Sequence, residues 1–466
     1  MNDCHKIATE IDALFSPGSV AIIGLPQGMK TGKLFLLALL DMKFPGPIYP
    51  VNPKAEEIDG LKCHASVLDI PGPVDLAIVL VPQQSMLETA RECAAKKVKG
   101  VVFFTAGGKE TGTAEGRALE AALVELARES GMRMLGPNCM GLYSPKTGLS
   151  FFPGLSTQPG PVGLISHSGS LTNIIGRIAG EKGLSFSKVA SLGNECDLNS
   201  AHFLDYLARD PETGVIGAYL EGIKDGPYFL RALKEAAREK PVVLWKVGLT
   251  PEGGRAASSH TGALAGSGEI WAGVVRQAGA IPVIGFEEWV DVLMAGVHLP
   301  ADLGDRMAIV SGPGGLAVGA SDAVGRAGLK LADLSPETTR TLSRFIPPTG
   351  TSLKNPIDVS LTASLQMEMY IEAARAAAAD PGVDAVIMIG AGLSRETNIE
   401  YTDAMIQARR EFGKPFLMVN IPGFDQDLGQ KFCQSGLPFF MSAEKAVSAY
   451  SKIRTSGLTR KKRAGR

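Results

Sequence analysis

No run of roughly 18 or more apolar residues, the length a membrane-spanning helix requires, occurs in the 466-residue chain. The longest candidates, VDLAIVLV and GVVFFTAG, have strand length and close on proline or glycine. Cysteine is sparse. Cys4, Cys63, Cys93, Cys139, Cys196 and Cys433 include no CxxC pair, so neither a disulfide framework nor a thiolate zinc site is expected, and reduced thiols in a cytoplasmic protein are. The six histidines form no HxH or HxxxH pair, which disfavours a metal site. An excess of either charge is also missing. With 47 basic and 48 acidic residues the net charge is -1, too little to gather nucleic acid or an anionic membrane. The beginning, MNDCHKIATEID, lacks the apolar core of a secretory signal. Only TRKKRAGR (459–466) is a basic run, and it reads as a frayed, solvated end.

What the chain has is alternation. Short β-branched runs closing on Gly, Pro or Asn alternate with longer Ala/Leu/Glu/Lys segments, the pattern of βα units that build parallel sheets. Three series follow one another. The first has strands near 19–24, 47–51, 75–82, 101–107 and 133–138, with helical segments at 85–97 and 114–130. After a Gly/Pro/Ser/Thr-rich linker (147–161), the second has strands near 162–169, 188–194, 214–222 and 241–248, its last unit ending near Leu299. The third begins at RMAIVSGPGG (306–315) and continues at 384–392 and 415–423. Such sheets bind ligands beyond the carboxyl ends of their strands, where helix N-termini present free N–H groups.

The loop after the first strand, GLPQGMKTGK (24–33), runs into a helix and suits a diphosphate, yet it is neither GxGxxG nor a Walker A loop. An NAD site places a carboxylate at the end of the second strand, whereas YPVNPK (49–54) places Lys54 there. A lysine suits a nucleotide carrying an extra ribose phosphate, NADP or coenzyme A, although NPK also reads as a plain turn.

One histidine stands among small residues in AASSHTGALAG (256–266), after the strand WKVG and the glycine-bearing TPEGGRAA. His260 is therefore expected in a loop or at a helix start on a binding edge, where another molecule can come close. Glu221, ending an adjacent strand in AYLEGIKDG, can accept a hydrogen bond from one ring nitrogen and leave the other nucleophilic. SHSGSLTN (166–173) and SLGNECDLN (191–199) follow two more strands with helix-start chemistry that suits a phosphate or a simple N-cap. His167 is a second candidate nucleophile in a turn that looks more like a cap.

Taken in order, GLPQGMKTGK, VNPK, GPNCMG (136–141), SHSGSL, SLGNECD, YLEGI and SSHTGALAG resemble the motifs of the NDP-forming acyl-CoA synthetase family, to which succinyl-CoA synthetase is related. The resemblance implies an α/β chain: a Rossmann-like CoA-binding domain (1–150), two flavodoxin-like parallel-sheet domains (151–300 and 301–455) and the basic tail (456–466). It implies that His260 is phosphorylated and that Glu221 orients it. Gly24, Leu25, Pro26, Gln27, Gly28, Lys33, Asn52, Lys54, Thr105, Ala106 and Gly107 would line the coenzyme A site, and Ser168, Gly169 and Asn194 would meet phosphate. ATP/ADP and Mg2+ are expected on a separate β-type ATP-grasp subunit in a hetero-oligomer, since the length after residue 299 is taken up by the third series. The implied reaction is that of an ADP-forming acid–CoA ligase acting on a small carboxylic acid through an acyl phosphate and a phosphohistidine. A CoA-sensing or scaffold subunit and an NADP-dependent oxidoreductase are the alternatives. Leu25-Pro26 and His167 depart from the family pattern, and proline at 26 removes an N–H from the loop.

Overall fold

The computed structural model describes residues 2–261, 267–365, 367–421 and 428–465, and at 2–4, 258–261 and 362 the backbone alone. By packing, the chain divides into two units. One holds the chain up to Ile178 together with Ser185–Ile284, and the other holds Ala179–Leu184 and Gly285–Arg466.

The first unit contains two sheets. Helix α1 (Asn2–Phe15) leads into β1 (Val20–Ile23), α2 (Lys33–Asp41) and β2 (Ile48–Val51), then a hairpin of β3 (Glu57–Ile58) and β4 (Leu61–Lys62). There follow β5 (Leu76–Val79), α3 (Met86–Ala95), β6 (Gly100–Phe103), α4 (Ala114–Ser130) and β7 (Arg133–Leu135). The sheet order is β2-β1-β5-β6-β7, with every pairing parallel. VAII of β1 and LAIV of β5 are buried at every position because helices cover both faces, so these strands read as continuous apolar runs. Helix α4 starts where Thr113 accepts from the Gly116 amide at 3.0 Å and stops at Gly131, whose left-handed φ of 72° ends the helix.

The second sheet comprises β8 (Gly141–Tyr143), β9 (Val162–Ser166), β10 (Phe186–Ser191), β11 (Val215–Leu220), β12 (Val242–Lys246) and β13 (Ile281–Pro282), in the order β13-β12-β11-β9-β10-β8. Its helices are α5 (Gly169–Ile178), α6 (Ser200–Arg209), α7 (Gly226–Glu239), α8 (Pro251–Thr261) and α9 (Gly268–Ala278). Strand β8 lies in the stretch read as the first domain, yet it pairs antiparallel with β10. The 147–161 segment is packed, with Leu149, Phe151 and Leu155 buried and the Tyr143 hydroxyl donating to the Ser156 carbonyl. Helix α1, which no sequence pattern announced, joins the two sheets. Phe15 stacks on Tyr206 of α6 at 5.8 Å, the Tyr206 hydroxyl donates to Asp12 at 2.6 Å, and Glu10 pairs with Arg133 at 3.1 Å.

The second unit begins with α10 (Phe286–His298), the helix read as closing the second series. It packs instead on the last helix, where Lys445 and Lys452 pair with Glu287 and Glu288 at 2.5 and 2.7 Å. Strands β14 (Arg306–Ser311), β15 (Lys330–Leu331), β17 (Ala385–Ile389), β18 (Phe416–Val419) and β19 (Phe439–Phe440) form a parallel sheet in the order β15-β14-β17-β18-β19, and β16 (Ile357–Asp358) pairs beside β14. Helices α11 (Gly314–Arg326), α12 (Pro336–Leu342), α13 (Glu368–Ala379), α14 (Arg395–Phe412), α15 (Leu428–Gln434) and α16 (Ala443–Ala464) complete it. The basic run is not frayed. Helix α16 runs into it as far as Ala464, with Lys461 paired to Asp302 at 2.6 Å and Arg460 donating to Ser456 at 2.8 Å. Among the described residues no helix is long and apolar enough to cross a membrane.

Candidate active site

A cleft of about 610 Å³ opens beyond the carboxyl ends of β1, β5 and β6, where a parallel sheet presents its loops. Gly24, Pro26, Thr105 and Ala106, four of the expected coenzyme A residues, line it. So do Lys30, Thr31, Gly32, Leu80, Phe104 and Asn138, which the sequence reading passed over. Lys30 and Gly32 lie inside the same glycine-spaced loop, and Phe104 directly follows β6, so position alone could have found them. Gly24 has φ 83°, and a Cβ on Gly32 would lie 3.0 Å from Leu80 and 3.3 Å from Pro26, so the loop lies close along the wall because Gly32 has no side chain.

The other expected coenzyme A residues brace this loop. Leu25 is buried, and its carbonyl accepts from Asn52 Nδ2 at 2.9 Å. Gln27 Nε2 donates to the Lys54 carbonyl at 3.2 Å, and the Lys54 amide donates to Asn52 Oδ1 at 2.9 Å. Lys33 is buried, pairs with Asp59 at 2.8 Å and is outside the cleft lining, whereas Lys30 lines the cleft. Gly107 is held from both sides, its carbonyl accepting from Gln83 at 2.7 Å and its amide donating to Glu110 at 2.6 Å. Gly28 is exposed with open space around it, and the Lys54 side chain is exposed and outside the cleft lining.

A smaller cavity of about 190 Å³ shares Phe104 and Asn138 with the cleft. Ser168 and Gly169 line it at the start of α5, whose first amides have no partner inside the helix. Asn194 does not join them. Its Nδ2 donates to Glu110 and, at 2.5 Å, to Glu120, while Lys109 Nζ donates to its carbonyl at 3.1 Å. Asn194 thus clamps the 105–112 loop of the first sheet onto the 191–199 loop of the second. Burial and the neighbouring Lys224 ammonium push Lys109 down to about 8, because the two cations crowd each other.

His167, the second candidate nucleophile, is committed at both ring nitrogens. Nδ1 lies 3.1 Å from the Glu221 amide, which can only donate, so the proton belongs on Nε2, 3.0 Å from Glu195. Glu195 also accepts from the Ser200 amide at 2.6 Å. Burial alone would raise this carboxyl, yet His167 and the Ser200 amide outweigh burial and hold it below the ordinary range. With no free lone pair, His167 is a positioning residue. Cys139 beside it is no nucleophile either, since burial pushes its thiol far up and keeps it protonated.

Glu221 follows β11 and is 4% exposed, with Oε2 lacking a hydrogen-bond partner among the described residues. Such a buried carboxylate oxygen is costly unless something comes to meet it. Its carbonyl accepts from Lys246 Nζ at 3.0 Å, and burial together with its charge pushes the Tyr219 hydroxyl up. Helix α8 packs on Gly248, beside the Glu221 main-chain carbonyl. A Cβ on Gly248 would lie 3.3 Å from Ala257 Cβ and 3.8 Å from the Glu221 carbonyl. The TPEGGRAA segment is thus helical, started where Thr250 accepts from the Gly253 amide at 3.0 Å, and His260 falls within the last turn of α8 instead of in a loop or at a helix start. The His260 side chain and residues 262–266 lie outside the described residues. Among the described residues no cluster of three or more His, Cys, Asp or Glu is arranged to hold a metal ion.

Comparison with known proteins bears on this arrangement. Residues 18–145 match the family described as CoA binding domain, 159–295 the succinyl-CoA ligase like flavodoxin domain, and 307–396 the ligase-CoA domain. The chain is 37% identical over 452 residues to the alpha subunit of ADP-forming acetate–CoA ligase II of Pyrococcus furiosus, covering 95% of this chain and 97% of that one. It is also 37% identical over 457 residues to ADP-forming acetate–CoA ligase I of Archaeoglobus fulgidus, spanning 97% of this chain but 65% of that longer one. Acetyl-coenzyme A synthetase 1 of Candidatus Korarchaeum cryptofilum, solved with phosphate and ADP, superposes with a TM-score of 0.86 at 32% identity, covering 99% of this chain and 98% of that chain. A chain with these three domains and this cleft is an acid–thiol ligase chain. It belongs to the ADP-forming acyl-CoA synthetase family, of the α-subunit type. The CoA-domain match also resolves the nucleotide alternatives in favour of coenzyme A.

Proposed function

We propose that this chain works with a separate ATP-grasp subunit in the cytoplasm and interconverts acyl-CoA, phosphate and ADP with the free acid, CoA and ATP. In the direction of ATP formation, phosphate displaces the CoA thiolate to give an acyl phosphate. His260 then takes the phosphoryl group and releases the carboxylate, and ADP on the partner, with Mg2+, takes it from His260. The observation that carries this reading is the buried Glu221 Oε2, which has no hydrogen-bond partner among the described residues, on a residue whose main-chain carbonyl lies beside Gly248, against which the helix that bears His260 packs. A carboxylate accepting from one imidazole N–H fixes the tautomer, leaves the other nitrogen as nucleophile and stabilises the cation that forms on phosphorylation.

The other residues divide the remaining work. The loop bearing Gly24, Pro26 and Lys30, with Thr105 and Ala106 opposite, holds coenzyme A, whose thiol serves as the leaving group. Ser168 and Gly169 at the start of α5 offer donors and a favourable dipole to the phosphate. Glu221→Gln should slow phosphate incorporation into the chain from acyl-CoA and inorganic phosphate by about 10²-fold or more, through lost tautomer control. An unchanged rate removes Glu221 from the reaction.

A further inference from the structure

The cleft and the smaller cavity meet at Phe104 and Asn138, so an acyl thioester at the end of the cleft faces the 190 Å³ chamber. That chamber is below the roughly 300–1,000 Å³ typical of pockets for drug-sized ligands. Its polar side is His167, Ser168, Ser170 and the start of α5; its apolar side is Phe104, Cys139 and Met140. Among the described residues no lysine or arginine lines it, and the His167 ring is already engaged by Glu195 and the Glu221 amide, so a second carboxylate on the acid would find no unpaired cation there.

The apolar walls differ in how far they can give. Phe104 is fixed edge-on against Phe35 at 5.1 Å. The backbone at 138–141 is equally fixed: the Met140 amide donates to Ser191 at 3.1 Å, and a Cβ on Gly141 would lie 2.7 Å from Val102. Only the Met140 side chain is both half-buried and unbranched, and it lies over the start of α5, where a Cβ on Gly169 would come within 2.7 Å of its Cγ.

We propose that Met140 sets the size of the acyl group, closing the chamber around a short apolar monocarboxylate whose carbonyl faces α5 and whose chain lies between Met140 and Phe104. This inference rests on the ligase reading above. A methylene more or less in an apolar pocket changes discrimination roughly 10- to 200-fold, so shortening or enlarging one wall residue moves specificity measurably.

The test compares wild type, Met140→Ala and Met140→Phe. Each is given inorganic phosphate with acetyl-CoA, butyryl-CoA or phenylacetyl-CoA, and the initial rate of phosphate incorporation into the chain is read alongside CoA affinity. The expected result is opposite shifts: at least about tenfold higher phenylacetyl-to-acetyl rate ratio in Met140→Ala, and a lower butyryl-to-acetyl ratio in Met140→Phe. Ratios equal in all three proteins, or shifted the same way in both variants, overturn the role of Met140. A wild-type chain that binds CoA yet takes phosphate from no acyl-CoA overturns the ligase reading itself, and this inference with it.

Discussion

Two carboxylates of one sheet, one residue after β11 and four after β10, are partnered differently. Glu195 is tied to its neighbours, with Oε1 accepting from both His167 and the Ser200 amide. Glu221 keeps Oε2 without a partner among the described residues. The sequence made Glu221 legible because a carboxylate at the end of a parallel strand sits on the binding edge. It could not show that His167 is spoken for, since the partners of its ring nitrogens come from 28 and 54 residues away. Removing that ring has a pH signature. In His167→Ala, Glu195 is left buried with one partner fewer, a loss of about 1–3 kcal/mol in urea unfolding near neutral pH. The folded carboxyl titrates below its unfolded value. Its stabilising contribution is thus present above the ordinary carboxylate range and is lost as pH falls through the lowered value. The wild-type advantage should therefore hold above about pH 5 and shrink below it, and an advantage independent of pH would remove Glu195 from the account.

At the scale of the element, the strands were legible and the loops only in part. Buried parallel strands write themselves as apolar runs, which is why β1, β5, β9, β11, β14 and β17 stand within the stretches read as strands. Glycine misled around residues 250–257, because a loop composition there is overruled by the Thr250 cap and by packing of Ala257 on Gly248. In the 24–33 loop Lys33 is buried and paired with Asp59, whereas Lys30, which the sequence reading passed over, lines the cleft. Lys30→Ala is expected to weaken CoA binding about tenfold in calorimetry, while Lys33→Ala chiefly lowers stability; the reverse pattern would return Lys33 to the cleft. Helix α10 carries a different cost. Asp291 is buried with Oδ2 unpartnered among the described residues, and burial, opposed by Lys182 and Lys445, pushes its carboxyl up to about 6. A raised folded value means a penalty that is absent below the unfolded value and fully present above about 6. Asp291→Asn should therefore stabilise the protein by about 1–3 kcal/mol at neutral pH and hardly at all below about pH 4, as read by thermal unfolding at the two pH values. Stabilisation of equal size at both would contradict that cause.

Across the whole chain, the three-series architecture was legible because each sheet repeats the same βα grammar. What the alternation could not place is where units divide: β8 crosses to the second sheet, α1 ties the first two sheets together, and α10 packs with α16. These are long-range choices made by packing, and a local pattern carries no trace of them. This chain spans 65% of the longer Archaeoglobus relative. The proposed reaction passes through one imidazole, that of His260. The most direct test incubates the purified chain with acyl-CoA and labelled inorganic phosphate and follows acid-labile, base-stable phosphate on wild type and His260→Ala. The account predicts label on the wild type and none on the variant, with CoA still bound by both. Label that survives in His260→Ala, or a wild type that stays unlabelled with every acyl-CoA offered, would contradict it.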